Sequence, residues 1–324
     1  GSVSNAAVRW HYRADAGGIP RSLLAALDLG ELEAKWPQKF VAAGDPIGPL
    51  TSDAAEHLGL SPKTLLVQGG VDALIGVVGL GVHKPGELAL ITGSSHLQYA
   101  LSAERFFRRG LFGTYADALY KGVFIAEGGQ TSTGSIIQWL GRLMNGTMDL
   151  AALNAEAATI APGCDGLLVQ DHFQGNRTPH TDALSRGALV GLTLAHGPAH
   201  VFRAIMEGVS LGTKAILVQM SAAGFSPQSM TVGGGAAASD LWLQIHADTA
   251  GLPVMVPEAR EAPNVGCAVL AAHGAGAVSS IAEGISAFVK PGRTIEPDPS
   301  AMARYDEIFE RHAALYPALS PITR

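Results

Sequence analysis

The chain has very little of what marks several large protein classes. Only two of its 324 residues are cysteine, Cys164 and Cys267, far apart and without metal-ligand spacing. That argues against a disulfide framework or a zinc site and fits a reducing compartment. Charged residues make up 15%, no Lys/Arg run occurs and the formal net charge is -6, so there is no general attraction for nucleic acid. The most apolar stretch, around Leu74–Val82, is short, glycine-broken and preceded by Asp72, too little to span a bilayer. The N-terminal GSVSNAAVRWHYRADAGG lacks the apolar core of a signal peptide, so a cytoplasmic location is expected. No repeat of roughly 20–50 residues is visible, which excludes solenoids and propellers.

What is present is glycine, 40 residues of it, in a chain that is 47% hydrophobic. Such a chain folds compactly and turns tightly, with backbone approaching backbone or ligand. Short β-type runs alternate with longer helical ones, predicting a layered α/β architecture. Strands are predicted over 64–68, 87–92, 97–101, 120–126, 166–170 and 229–232. Helices are predicted over 132–145, 198–222, 239–250, 263–276 and 299–315. A boundary is expected after the glycine-rich helix ending near Gly81. The first 80 residues, with two or three helices and one strand, look like the tail of a domain whose beginning is missing.

Four segments place polar groups where strands end. In LLVQGGVDALIGVVGLG a strand runs into Gly69-Gly70, and Asp72 opens a helix. Open α/β sheets put ligands at such ends, although Asp is also a common N-cap. In ELALITGSSHLQYALS two strands flank Gly93-Ser94-Ser95, a hairpin able to cradle phosphate through N–H groups, or an ordinary serine turn. SMTVGGGAAASDLWLQ carries Gly234 and Gly235 between strand and helix, with Ser239 at the helix start; neither a Walker loop nor a dinucleotide fingerprint fits. FIAEGGQTSTGSIIQWL offers Glu127, then Gly134 and Gln138 on one helix face. His96, His172 and His180 read as satisfied core or loop histidines, and Asn176-Arg177 as cleft wall.

The order and spacing of all four segments resemble the FGGY carbohydrate kinases over nearly the whole chain. That resemblance implies an actin-like ATPase (ribonuclease-H-like) fold. Residues 1–82 would be the C-terminal remnant of a sugar-binding N-terminal domain, and 83–324 the nucleotide-binding domain. It implies ATP and Mg²⁺ as cofactors and a small sugar as partner, with no nucleic acid or membrane partner and a homodimer left open. Asp72 corresponds to the family's general base and also a substrate contact. Gly93, Ser94 and Ser95 match its phosphate hairpin, with serine in place of threonine. Gly134 and Gln138 match its nucleotide-contacting helix start. Gly234, Gly235 and Ser239 match its adenosine loop, Ser239 standing near a position often occupied by an amide. EGGQ and QGNRTP look most like the pentulose kinases, the D-ribulokinase branch in particular. Glu127 would then contact sugar hydroxyls, and Arg9 stands where a lysine is usual, keeping charge but changing geometry.

No match to the family's Asp-x-Gly-Thr phosphate motif is found, so the chain alone is expected to be feeble or inactive unless the missing half is supplied. Two other classes stay open: a non-catalytic nucleotide-binding remnant of a sugar kinase, and an actin-like ATPase that drives conformational change.

Overall fold

Short apolar strands pack between two layers of amphipathic helices. The structure is a computed structural model and describes residues 1–13, 16–144, 146, 148–259 and 261–323. The chain begins with α1 (Val3–Trp10), α2 (Arg21–Ala26), β1 (Pro46–Pro49), α3 (Ser52–Leu58), β2 (Leu65–Val67) and α4 (Asp72–Gly79). Then come β3 (Leu88–Thr92), β4 (His96–Ser102), β5 (Gly113–Ala116), β6 (Phe124–Gln130), α5 (Gly134–Leu143) and α6 (Leu150–Ala158). It continues through β7 (Leu168–Gln170), β8 (Ala188–Val190), α7 (Pro198–Ala222), β9 (Met230–Gly234), α8 (Asp240–Ala250) and β10 (Val254–Val256). It closes with α9 (Ala262–Gly274), α10 (Ile281–Phe288), β11 (Arg293–Ile295), α11 (Pro299–Ala313) and α12 (Leu315–Thr323).

Among the described residues, seven strands form one mixed sheet in the order β11-β10-β9-β3-β4-β6-β5. β3, β9 and β10 run parallel, and β4, β6, β5 and β11 join antiparallel. Alternation along the strands sorts side chains between two faces. Ala89, Tyr99, Leu101 and Ile125 pack with α4, α9 and α10. Leu88, Leu90, Ala100 and Ala126 pack with α7 and α8. A third cluster lies between α7 and helices α5, α6, α8 and α11. Where layers meet most closely, glycine is required: a Cβ on Gly79 would overlap the Ala262 carbonyl, and one on Gly266 the Ile75 carbonyl.

Several predicted boundaries move. Among the described residues, the first 80 contain four α-helices, a 3-10 helix over Gly30–Lys35 and two strands, β1 pairing antiparallel with β2, rather than two or three helices and one strand. The strand expected at 120–126 begins at Phe124 and runs to Gln130. The glycines of EGGQ lie inside that strand, where they admit close neighbours, instead of forming a turn after it. The predicted end of the helix at 132–145 falls on Asn145, outside the described residues; α5 ends at Leu143. The helix at 198–222 is observed with those bounds.

Candidate active site

The turn between β3 and β4 is closed by the Gly93 N–H, which donates to the Ser95 carbonyl at 2.9 Å. The Gly93 and Ser94 carbonyls are taken by the start of α5. Thr133 N–H donates to Ser94 O at 2.9 Å, Gly134 N–H to Gly93 O at 3.1 Å, and Ser135 Oγ to Ser94 O at 3.0 Å. A side chain at 134 would drive its Cβ into the Gly93 carbonyl, so glycine is what lets helix and hairpin dock. Among the described residues, no carbonyl takes the Ser94 or Ser95 N–H. Two N–H groups and two hydroxyls therefore remain at the tip, the donor set an anion needs.

Beside the hairpin, β9 ends at Gly234, paired in register with Thr92. Gly234 has φ +96° and ψ -154°, a region only glycine occupies comfortably, and a Cβ there would overlap the Thr92 carbonyl. Thr92 fastens the loop, its Oγ1 donating to Gly233 O at 2.7 Å and accepting from Ala236 N–H at 3.0 Å. Gly235, by contrast, has nothing within 4 Å of its Cβ position. Both glycines border a cleft of about 880 Å³ at the carboxyl ends of β3, β9 and β10. Arg293, ion-paired with Asp240, shares this cleft with Glu258 and Glu261. Among the described residues this is one cation among three carboxylates, which suits an uncharged base and ribose better than phosphate. Phosphate fits the N–H-rich hairpin.

A second cluster surrounds Asp72. Val71 occupies the N-cap and makes no side-chain cap bond; Asp72 is the first helical residue, exposed, with Oδ1 accepting the Ala73 N–H at 2.8 Å. The N-cap alternative therefore does not describe it. The turn before it is held by α1, where the buried Ser4 Oγ accepts the Val71 N–H at 3.2 Å. Gly70 makes room, since a Cβ there would lie 2.6 Å from that hydroxyl oxygen. The same helix presents Arg9 at its last turn, exposed. Across the sheet, Tyr99 pairs in register with Glu127. Burial pushes the Tyr99 hydroxyl up to about 12; Arg177 and Arg9 pull it down, and Asp72 pushes it up. Burial also raises Tyr115, with Arg177 and Arg9 opposing. Arg9 and Arg177 thus act on both buried phenols, and Asp72 on Tyr99.

Glu127 is itself buried and engaged. Tyr115 OH donates to its Oε2 at 2.7 Å, and Arg177 pairs with its Oε1. Arg177 lies over the Phe112 ring, 3.9 Å from its centroid, and reaches this place because Gly129 has no side chain. Gly128 serves the opposite face, where a Cβ would run into Ile216 of α7.

The hairpin, Gly134, Gly234 and Gly235 are therefore brought together around Thr92, while Asp72, Arg9 and Glu127 gather around Tyr99 and Tyr115. The strand segment from Ser95 to Tyr99, roughly 14 Å long at about 3.4 Å per residue, links the two. Gln138 is exposed one turn along α5. Ser239 is occupied structurally, its Oγ accepting Trp242 N–H at 3.2 Å and donating to Asn154 Oδ1 at 2.6 Å. Sequence reasoning missed Thr92, Ser4 and Tyr115 and read Arg177 only as wall; the GxR of QGNRTP was the available signal. His172 is satisfied by Ser185 and Asn176, and His180 stacks on Tyr316. His96 corrects the reading of a satisfied histidine: it is fully buried with neither ring nitrogen partnered, and burial holds it well below the usual imidazole range.

The sheet order, with the antiparallel run β3-β4-β6-β5 sharing β3 with the parallel strands β9 and β10 and a glycine loop at the carboxyl end of β9, defines an actin-like, ribonuclease-H-type fold. The chain belongs to the FGGY family of carbohydrate kinases, whose C-terminal domain matches residues 88–275. It is 30% identical over 330 residues to a ribulokinase of Shouchella clausii, covering 95% of this chain and 58% of that protein. It is 30% identical over 279 residues to a xylulose kinase of Bacillus subtilis, covering 86% and 56%. The crystal structure of xylulose kinase from Rhodospirillum rubrum superposes with a TM-score of 0.78 at 28% identity, over 91% of this chain and 60% of that one. The chain thus spans little more than half the length of these curated relatives. Among the described residues, no helix is long and apolar enough to cross a membrane.

Proposed function

We propose that the protein carrying this chain transfers phosphate from ATP to the hydroxyl of a sugar, a pentulose such as D-ribulose. In this reading residues 1–82 belong to the sugar-binding domain and 83–324 form the nucleotide-binding domain. The observation that carries it is Asp72: an exposed carboxylate at a helix start, whose charge reaches the buried Tyr99 phenol, in a member of a carbohydrate kinase family. A carboxylate so placed accepts the attacking hydroxyl's proton. Arg9 and the Glu127–Arg177–Tyr115 group form a polar wall suited to orienting a polyhydroxylated acceptor.

The hairpin fits the β- and γ-phosphates through the Ser94 and Ser95 N–H groups, and Gly234-Gly235 fit adenosine through bare backbone. Gly134 holds the hairpin, Gln138 extends the same helix face, and Ser239 steadies the loop's far end. No group of three or more acidic, His or Cys side chains able to hold a metal occurs among the described residues. Mg²⁺ held by the phosphate oxygens would neutralise charge there. The substrate is named from the likeness to ribulokinase and from the EGGQ and QGNRTP segments, and xylulose is the next candidate because the B. subtilis relative is a xylulose kinase.

The test is ADP release by the complete natural protein across a panel of pentuloses and alditols, with Asp72→Asn alongside. Turnover on one pentulose is expected, falling about 10²–10⁴-fold in the variant while ATP still binds. ATP binding without any sugar-dependent ADP release would overturn the reading in favour of a non-catalytic nucleotide-binding module.

A further inference from the structure

Away from the cleft, a cavity of about 260 Å³ lies between α7, the 170–180 loop and helices α11 and α12. Its floor is acceptor-rich. Gln170 is buried, its Nε2 donating to Arg186 O at 2.8 Å, while its Oε1 has no partner. Asp171, also buried, accepts among the described residues from one other side chain, Gln130 Nε2 at 2.8 Å on Oδ2, and from its own backbone N–H.

The neighbouring imidazole cannot supply the second oxygen. Asn176 Oδ1 accepts the His180 N–H, which fixes the amide so that its Nδ2 donates to His172 Nε2 at 2.8 Å. His172 is then protonated on Nδ1, donating to Ser185 Oγ, and the Nε2 lying 3.8 Å from Asp171 Oδ1 presents a lone pair. His312 donates through Nε2 to the Val169 carbonyl at 3.1 Å, leaving Nδ1 as another acceptor. Burial pushes His172 down to about 3 and His312 to about 4, so both are neutral near pH 7. Burial raises the Asp171 carboxyl to about 6, so it is ionised at slightly alkaline pH. The nearby cations are engaged elsewhere, Lys214 with Asp306 and Arg108 with Gln219.

A buried carboxylate without a counter-cation is costly unless something pairs with it. The volume greatly exceeds that of a bare ion, and Ala215, Val218, Phe309 and Tyr316 supply carbon walls around the polar floor. Aromatic faces also favour cations.

We propose that this cavity is a binding site for a small organic cation, an alkylammonium or alkylguanidinium compound, whose N–H groups satisfy Asp171 and Gln170. The site is independent of the kinase reading. Its wall is nonetheless continuous with the active cleft, because Gln130 ends the strand that carries Glu127, and Arg177 lies on the same loop.

Isothermal titration calorimetry of the 324-residue chain at pH 7.5, with agmatine and with neutral butylurea, tests it. Agmatine should bind one-to-one and butylurea roughly tenfold or more weaker, as expected for loss of a close charge pair. Asp171→Asn, which retains the Gln130 contact, should lose agmatine affinity by a similar factor. Ala215→Phe, which fills the cavity and leaves the carboxylate in place, should abolish binding without changing the circular dichroism spectrum. Absence of agmatine binding, equal binding of butylurea, or binding that survives either substitution overturns the proposal.

Discussion

Gly234 and Gly235 are neighbours under different demands. At 234 the backbone lies at φ +96° and a Cβ would overlap the Thr92 carbonyl, whereas at 235 the space is open. Gly234→Ala should therefore lose stability by more than the roughly 1–3 kcal/mol of backbone strain alone. Gly235→Ala should unfold at nearly the wild-type urea concentration and show its effect in ATP titration. Equal midpoints for the two would contradict the geometry. Asp171 supplies a second residue-level test. Its folded carboxyl titrates near 6 against an ordinary value of 3.8, so the folded state holds the extra proton between those values. Stability from this group is then present at low pH and lost as pH rises through about 6. Asp171→Asn should raise the melting temperature at pH 8 and change it little at pH 4, as thermal denaturation at the two pH values would show. Asp72 and the glycine loops were legible as residues because each stands at a strand end. Thr92, Ser4 and Arg177 were not, because their roles depend on partners 50 to 141 positions away, and no local pattern encodes that.

Among the elements, α7 was readable to its last residue. Pro198 suits a first helical turn, and an apolar stripe continues through Met220. β6 was misplaced because Gly128 and Gly129 look like a turn, although inside the strand they accommodate Ile216 on one face and Arg177 on the other. β5, β8, β10 and β11 are three or four residues long, too short for alternation to declare them. The long helix also anchors a buried clamp. Arg203 donates to Glu207 at 2.8 Å and to Ala157 O at 3.0 Å, and Tyr305 OH donates to Glu207 at 2.9 Å, tying α6, α7 and α11. Burial raises the Glu207 carboxyl, and Arg203 opposes that. Arg203→Met should cost about 3–5 kcal/mol in guanidinium denaturation, because it strands a buried carboxylate. Adding Glu207→Gln should recover much of the loss, and no recovery would mean that packing, not charge, is what Arg203 supplies.

At the scale of the molecule, Ala7, Ala43 and the α4 residues share one core with Tyr99, Ile125 and Val269, so residues before 82 are packed into the main sheet's layer. Chemical denaturation followed through Trp10 and Trp36 should coincide with that followed through Trp139 and Trp242, using single-tryptophan variants. An earlier transition in the first pair would show a separately melting unit. The fit of Ser4 into the space left by Gly70 carries a consequence of a different kind, written in descent and not in energy. The two positions make a lock whose halves cannot drift alone. A lineage that acquires bulk at 70 must already have given up the hydroxyl at 4, and with it the tether holding the turn ahead of Asp72. Among relatives these two columns should change together or not at all, and a sequence found with both bulk at 70 and serine at 4 should seat its aspartate elsewhere.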